Sequence, residues 1–297
     1  MILRCVAFKP EERANLLMRF LITSRHSQRI CAVALPVILF GQLFVTAAFC
    51  EELLASKAAR PVSVTTGSRI LAFKAGEKLT YAISWSKLVS AGTATVEVDG
   101  ELLPSGKKVL RLIAATRSSG LVDSLYPVMD TVQSVFDPDY MHSLTYSLDQ
   151  RHGKKKKHRE LTFDHAARTV VSQQDKEPPA VMAIPEQAQD ALSALFYLRT
   201  RNDFIIGKPI IINVYDSGKN WSIEVHTLAR EKVKTPAGEF NTIKVKTYPL
   251  YEGVFMNKGE IFIWLTDDNR KIPVLMQSTI SIGSIMSTLT NIQEKTE

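Results

Sequence analysis

The 297-residue chain carries 37 Lys and Arg against 30 Asp and Glu, which gives a formal net charge of +7. Six of these cations and two of the acids fall in the first 50 residues, so only three excess charges belong to the remainder. A surplus this small gives no support for a nucleic-acid-binding surface, and we expect no nucleic-acid partner. The three cysteines, Cys5, Cys31 and Cys50, lie in the same N-terminal part. The rest of the chain therefore has no disulfide framework, no thiol nucleophile and no thiolate metal site.

An uncharged and mostly apolar run at residues 30–50 is the most informative N-terminal feature. It is preceded by Arg25 and Arg29 and ends near the small residues Ala47 and Ala48. A basic start, an apolar centre and a small-residue end are typical of a Sec-type export signal. We therefore predict that the chain is exported and works in the periplasm.

Three fates of residues 1–50 stay open. Cleavage after Ala47 or Ala48 releases the chain into the periplasm, whereas an uncleaved run of about twenty apolar residues is long enough to anchor it in the inner membrane. Lipidation at Cys50 is the third, although Phe49 stands where lipoprotein signals have a small residue. The start of translation is also open, because a signal of ordinary length could begin at Met18.

Beyond a small, polar linker at residues 51–68, hydrophobic alternation of period two dominates the sequence. In the first such run Leu79, Tyr81 and Ile83 alternate with more polar residues, as in a half-buried strand. Turn sequences separate the runs at intervals too short for crossover helices, so the strands should be antiparallel. We predict one mainly β domain over residues 69–293, a curved antiparallel sheet or partly open β-barrel, preceded by the signal helix. Further alternating runs lie at residues 94–98, 110–114, 221–225, 243–245 and 274–282.

One segment of this domain has helical spacing instead. Pro185 precedes residues 186–201, in which Leu192, Leu195 and Phe196 recur at helical intervals. Proline suits a first helical turn, and the apolar stripe needs a sheet to pack against. We predict one central helix over residues 186–201. We predict an irregular segment at residues 176–183 before this helix. The helix separates two β halves, residues 70–175 and 204–293, and the sequence leaves open whether they form one sheet.

Several blocks occur in an order that is characteristic of one family. They are FKAGEKLTY at residues 73–81, SAGTA at 90–94, DALSALFYLR at 190–199, TPAGEF at 235–240, IWLTDD at 263–268 and RKIPV at 270–274. Together they resemble the bacterial domain-of-unknown-function family 3108 over about residues 71–289. The resemblance implies an exported protein of Gram-negative bacteria that is mainly antiparallel β. It implies no assigned activity and supplies no catalytic residues.

The most basic stretch is residues 151–159. One interpretation is an anionic partner such as lipopolysaccharide, phospholipid headgroups or an acidic glycan. The other is a solvated hairpin tip between strands near residues 143–148 and 160–163, where lysines protect an exposed edge. The candidates for an anionic-binding surface are Lys154, Lys155, Lys156, Lys157 and Arg159.

Aromatic residues recur on several of the predicted strands. On a curled sheet they could line a concave apolar pocket for a lipid or acyl chain, and the alternative is that they form ordinary core. Arg199, on the helix, is added as a ligand-clamping candidate, with a buried ion pair or a helix cap as the alternatives. The ligand-lining candidates are Tyr81, Trp85, Trp221, Phe262, Trp264 and Arg199.

Aspartates supply a third set of candidates, because paired carboxylates hydrolyse glycosidic bonds. Turn and helix-cap roles explain these residues more plausibly than catalysis does. No nucleophile elbow, metalloprotease helix, phosphate loop or dinucleotide fingerprint occurs, so we predict no catalytic residue, no metal and no cofactor. The candidate carboxylates are Asp130, Asp137, Asp190, Asp267 and Asp268.

Three functions follow from this sequence. The first is a non-catalytic envelope protein that binds an apolar or amphiphilic ligand, or a partner protein, on a concave β surface. The second is an envelope assembly or structural factor without a ligand, and the third is a carboxylate-based glycan hydrolase. The expected partners are a lipid or an envelope protein, and membrane contact would run through residues 30–50 or the lysine-rich tip.

Overall fold

The structure, a computed structural model, describes residues 71–86, 88–251, 254–255, 260–280 and 283–294. The predicted export segment with its signal helix (residues 1–50) and the linker (residues 51–68) lie outside the described residues. The elements, in chain order, are β1 Glu77–Trp85, β2 Val89–Leu102, β3 Lys108–Ser118, α1 Gly120–Leu125, β4 Val128–Asp137, β5 His142–His152, β6 Lys155–Asp164, β7 Thr169–Gln174, β8 Ala180–Ala183, α2 Ser193–Arg199, β9 Ile210–Asp216, β10 Lys219–Thr235, β11 Gly238–Tyr251, β12 Val254–Phe255, β13 Glu260–Thr266, β14 Pro273–Ile280 and β15 Gly283–Glu294.

All the strands belong to one 15-stranded sheet. Its hydrogen-bonded order is β8-β7-β6-β5-β4-β3-β2-β1-β15-β14-β13-β11-β10-β9, and β12 is attached to β11. Neighbouring strands are antiparallel throughout this order, because nearly every connection is a hairpin. The predicted mainly β, antiparallel architecture is confirmed.

The first and last strands join the two halves of the sheet. β1 pairs with β15 along its whole length, from Glu77 opposite Glu294 to Trp85 opposite Ile285. The sequence left open whether the two β halves share one sheet, and this ladder makes them continuous.

Gly92 lets β2 and β3 approach each other closely near this junction. A Cβ atom at Gly92 would lie 2.2 Å from the backbone oxygen of Arg117, far inside any normal contact distance. Only glycine therefore fits at this position opposite Ser118.

The sheet curves around an interior that its own side chains fill. Alternate residues of strands such as β1, β4 and β5 face inward, as the period-two pattern requires. Phe73 packs edge-to-face against Phe136 and Phe196, with ring centroids 5.9 and 4.7 Å away.

Side chains, rather than a strand ladder, connect the two ends of the sheet. In the part of the chain that the structure describes, β8 and β9 do not pair with each other. Instead Arg159 of β6 donates from Nη1 to Asp216 Oδ1 and Ser217 Oγ, both at 2.9 Å. Asn220 Nδ2 also donates to the backbone oxygen of Ala183 at 2.8 Å. The architecture is therefore a partly open barrel.

The central helix is shorter than predicted. α2 begins at Ser193 rather than at residue 186. The residues before it follow the outer edge of β9, where Gln189 N–H donates to Asn213 O and Tyr215 N–H donates to Gln189 O, both at 2.8 Å. These main-chain bonds hold the segment extended and delay the first helical turn.

Two further elements differ from the sequence prediction. The lead-in at residues 176–183 is not irregular throughout, because its last four residues form β8. The short helix α1 was not predicted; it begins at Gly120, whose φ of 57° suits glycine. No helix within the described ranges is long and apolar enough to cross a membrane.

A buried ion pair fixes α2 to the sheet. Arg199 donates from Nη1 and Nη2 to the two carboxylate oxygens of Glu77, at 2.7 and 2.8 Å. Its Nε donates to Arg270 O at 3.2 Å, and its Nη2 also donates to Ala72 O at 3.3 Å. Because both ion-pair side chains are at most 4% exposed, neither charge has water as an alternative partner.

We expect Glu77→Ala to lower the free energy of unfolding by about 3–5 kcal/mol, because it leaves the Arg199 charge buried and unpaired. The double variant Glu77→Leu/Arg199→Leu should regain a large part of that loss, since no isolated charge remains. Urea unfolding measures both effects. Glu97→Ala, which breaks the exposed pair with Lys78, is the control and should cost less than about 1 kcal/mol. Equal losses for Glu77→Ala and Glu97→Ala would contradict this role.

Candidate functional site

A cavity of about 890 Å³ lies at the C-terminal end of α2. Its size falls within the range of roughly 300–1,000 Å³ that small-molecule sites occupy. The cavity is lined by Leu71, Met141, Gln187, Tyr197, Thr200, Arg201, Asn202, Asp203 and Ile205.

The end of α2 shapes one wall of this cavity. Thr200 donates from its N–H and its hydroxyl to Tyr197 O, at 3.1 and 2.7 Å, and Arg201 N–H donates to Leu198 O at 3.1 Å. These bonds terminate the helix by satisfying carbonyls of its last turn. The chain then leaves as a loop that carries the lining residues Arg201 and Asp203.

A charged pair stands at the rim of the cavity. Arg201 donates to Asp203 from Nε and Nη2, at 3.0 and 2.7 Å, and from Nη1 to the Tyr197 hydroxyl at 3.2 Å. The hydrogen bonds from Arg201 lower the pKa of Asp203, and those to Asp203 raise the pKa of Arg201. The rim therefore presents one positive and one negative charge side by side at neutral pH.

Apolar side chains form the other part of the lining. Leu71, Met141, Tyr197 and Ile205 contribute apolar surface. Ile205 and its neighbour Ile206 are 55% and 65% exposed, an unusual amount for adjacent isoleucines. A cavity whose lining combines apolar side chains with a partly exposed ion pair has the chemistry of an amphiphile-binding site.

Four of the predicted ligand-lining residues, Tyr81, Trp221, Trp264 and Arg199, are buried. Tyr81 is 1% exposed and donates its hydroxyl to Pro273 O at 2.9 Å, and burial raises its pKa. Trp221 is buried, and its Nε1 donates to Asp216 O at 3.3 Å. Arg199 is committed to Glu77, which is one of the alternatives that the sequence left open.

Phe262 and Trp264 lie on the opposite face of the sheet. They alternate on β13 with the inward-facing Ile261 and Ile263, and Trp264 stands opposite Lys244 of β11. The prediction that all the aromatic residues share one concave wall is therefore wrong, because strand alternation separates them. Trp85 is partly buried at the end of β1. None of the six ligand-lining candidates lies in the lining of the cavity.

The basic stretch forms the predicted hairpin tip, with β5 and β6 on either side of Gly153. Lys154, Lys155 and Lys156 are exposed, but Lys157 is half-buried. Arg159, which we expected at the surface, is 2% exposed and bonded to Asp216. That expectation is wrong because Arg159, like Leu161 and Phe163 further along β6, faces the interior.

Asp190 accepts four hydrogen bonds at the start of α2. Its Oδ2 accepts hydrogen bonds from the hydroxyls of Ser134 and Ser143, both at 2.5 Å. Its Oδ1 accepts the N–H groups of Leu192 and Ser193, at 2.7 and 2.8 Å. Burial raises the pKa of Asp190, while these four bonds favour its charged form.

The other four candidate carboxylates also have structural partners. These are His152 for Asp130, Lys107 for Asp137, Arg230 for Asp267, and the N–H groups of Arg270 and Lys271 for Asp268. Each carboxylate therefore serves a local turn or ion pair, and the geometry gives no support to their use as a catalytic pair.

Sequence reasoning missed the cavity because its lining comes from four separated segments. The only local signal is the run from Arg201 to Ile206, in which two charges are followed by two isoleucines after a predicted helix.

A row of stacked rings flanks Met141 of the cavity and was also missed. His142 and His165 stack with centroids 3.6 Å apart, and Tyr140 continues the row 5.7 Å from His142.

Comparisons with known proteins agree with this fold. The profile of the family described as "Protein of unknown function (DUF3108)" matches residues 80–290, and the chain belongs to this family. The resemblance found in the sequence blocks is thereby confirmed. The comparison with curated proteins found no match.

Solved structures extend the likeness to more distant proteins. A β-barrel-like protein of the DUF1849 family from Brucella abortus superposes with a TM-score of 0.51 at 10% identity, over 74% of this chain and 98% of that one. A proposed exported protein with a YmcC-like fold from Bacteroides fragilis gives 0.31 at 13% identity, over 74% and 97%. A proposed lipoprotein from Parabacteroides distasonis gives 0.30 at 11% identity, over 74% and 95%. The first of these supports the β-barrel-like fold and nothing further.

We expect acid to destabilise the fold through His142. Burial, followed by the neighbouring His165, lowers its pKa from 6.5 to about 4. The unfolded chain therefore binds more protons between these values, so the contribution of His142 to stability is complete above pH 6.5 and is lost as the pH falls toward 4. Thermal unfolding across this range measures the loss. His142→Phe keeps a stacking ring without a titrating group and should show a shallower fall; parallel curves would contradict the assignment.

Proposed function

We propose that this chain is an exported, non-catalytic binding protein that holds an amphiphilic ligand in the cavity at the C-terminal end of α2. The observation that carries the proposal is the mixed lining of one cavity of about 890 Å³. An alkyl or other apolar portion would pack against Leu71, Met141 and Ile205. A charged polar group would lie at Arg201 and Asp203.

The rim pair favours a charged headgroup over a neutral one. The Arg201 guanidinium can donate to phosphate or carboxylate oxygens, and Asp203 can accept from an amine. Their ion pair is partly exposed, with both side chains 36% accessible, so a ligand can exchange these contacts without burying an unpaired charge. Anionic and zwitterionic amphiphiles both meet these requirements.

The inner wall of the sheet is less suited to this role than the cavity at its end. Inward-facing residues such as Phe73, Phe136 and Phe196 pack against one another. The buried pairs of Arg199 with Glu77 and Arg159 with Asp216 occupy further interior positions. The binding site that we propose therefore lies at the end of α2 and not on the concave surface that the sequence predicted.

The proposed location is the periplasm. This rests on the export-signal pattern of residues 1–50, in which an apolar run follows Arg25 and Arg29. A protein with a partly open apolar cavity in that compartment has amphiphiles of the envelope within reach.

Native mass spectrometry tests the proposal. The full chain, purified after export in a Gram-negative host, should carry a bound small molecule that organic extraction recovers. Ile205→Asp places a charge in the apolar part of the lining and should reduce the retained ligand by about tenfold or more.

Ile211→Asp is the matched control, because Ile211 is 49% exposed, as against 55% for Ile205, and lies outside the cavity. It should leave the retained ligand unchanged. A parent protein without any bound molecule, or equal losses in the two variants, would refute the cavity as a binding site.

A further inference from the structure

One end of the sheet has an outer edge without a strand partner in the part of the chain that the structure describes. β8 (Ala180–Ala183) is the terminal strand, and within the described residues it pairs with β7 alone. All four of its residues are exposed, with Val181 at 65% and Met182 at 41%. Residues 178–185 contain no charged side chain, although natural edge strands are commonly protected by charge.

The opposite end of the sheet is covered. Gln189 forms a parallel bridge to Val214 and exchanges main-chain bonds with Asn213 and Tyr215 of β9. Asn213 Nδ2 adds a bond to Glu186 O at 3.2 Å. Within the described residues the chain therefore shields β9 with its own backbone, whereas the outer edge of β8 is contacted by hydrogen bonding only at Ala183, through Asn220.

The free hydrogen-bonding groups of β8 can be assigned from its ladder. Ile184 N–H donates to Arg168 O at 2.9 Å, so these two residues form a hydrogen-bonded pair. Pairs alternate along an antiparallel ladder, which makes Met182 with Val170 the next hydrogen-bonded pair. The N–H and C=O of Val181 consequently point away from β7.

The groups on either side of Val181 follow the same alternation. The N–H and C=O of Ala183 also point outward, and its C=O already accepts Asn220 Nδ2 at 2.8 Å. Ala180 N–H faces β7, and a trans peptide directs the preceding carbonyl, that of Pro179, to the other side. The outer edge thus offers the C=O of Pro179, both groups of Val181 and the N–H of Ala183.

We propose that β8 pairs antiparallel with β8 of a second copy of this chain, across a two-fold axis at Val181. In that register each Val181 N–H donates to the C=O of Val181 of the partner subunit. Each Ala183 N–H donates to the C=O of Pro179 of the partner subunit. The edge is self-complementary, because, among the described residues, the only missing donor and the only occupied acceptor would face each other. Pro179 has no N–H to donate, and the C=O of Ala183, which would lie opposite it, already accepts a hydrogen bond from Asn220.

The side chains agree with this register. Val181 meets its own symmetry mate on the face where Val171 is 40% exposed, and Met182 meets Ala180 of the partner subunit on the other face. No charge is buried. An interface centred on one four-residue strand is small, so the dimer should form only at high protein concentration.

Sedimentation equilibrium of the full chain tests the proposal. The mass should approach twice that of the monomer at high concentration and fall to the monomer over a dilution of about 100-fold. Val181→Pro removes the outward N–H but no bond to β7, and should remain monomeric at every concentration. A parent chain that stays monomeric, or a Val181→Pro variant that still dimerises, would overturn the proposal.

A charge exchange tests the two-fold register and does not depend on a proline variant. Val181→Glu and Val181→Lys each place like charges against each other at the axis, and each should weaken dimerisation at least about tenfold. An equimolar mixture of the two should restore association as a heterodimer. If both variants are monomeric and mixing restores nothing, the register through Val181 is wrong.

Discussion

The antiparallel pairing of β1 with β15 is the constraint on which the rest of the structure depends. It joins the two β halves into one sheet by bringing together the two ends of the domain in sequence. β1 also carries Glu77, whose carboxylate binds Arg199 of α2 across 122 positions of sequence. The strand that joins the halves therefore also fixes the helix, and with it the loop that forms the cavity. Antiparallel ladders between distant segments require a large loss of chain entropy, and the buried apolar surface of one continuous sheet compensates for that loss.

Polar side chains connect parts of the barrel that no strand ladder joins. The sheet ends at β8 and β9, yet Arg159 reaches Asp216 across this opening, and Asp190 connects the start of α2 to Ser134 of β4 and Ser143 of β5. The hydrogen bonds of these buried groups are satisfied to different degrees. Asp190 accepts four hydrogen bonds, whereas Arg159 donates from Nη1 alone, because its buried Nε and Nη2 have no partner within the described residues. They hold the barrel in shape and at the same time occupy positions that a guest molecule would need. This is the physical reason for placing the binding role at the end of α2, where Arg201 and Asp203 remain partly exposed.

The two surfaces that we assign lie on different parts of the molecule and use different chemistry. The cavity combines apolar side chains with a charged pair, so its selectivity would come from side chains such as Leu71, Met141, Arg201 and Asp203. The β8 edge relies on main-chain groups, which recognise another strand through their pattern of donors and acceptors. The extended segment that ends at Gln189 protects β9, and it begins immediately beyond β8. One short connection therefore covers one edge of the sheet, while the other edge has no strand partner among the described residues.

The sequence by itself determined the class of fold, because period-two hydrophobicity and closely spaced turns allow little else than antiparallel strands. It also determined the family, through blocks such as residues 73–81 and 190–199, and the hairpin around Gly153. Alternation shows which residues share a face but not which face is inside. Phe262 and Trp264 are apolar like their neighbours Ile261 and Ile263, yet they lie on the other face of the sheet. Only the tertiary structure decided that Arg159 is buried, that α2 starts at Ser193 and that a cavity forms beside Arg201. Each of these depends on a partner far away in sequence, such as Asp216, Asn213 or Met141, and local patterns carry no information about such partners.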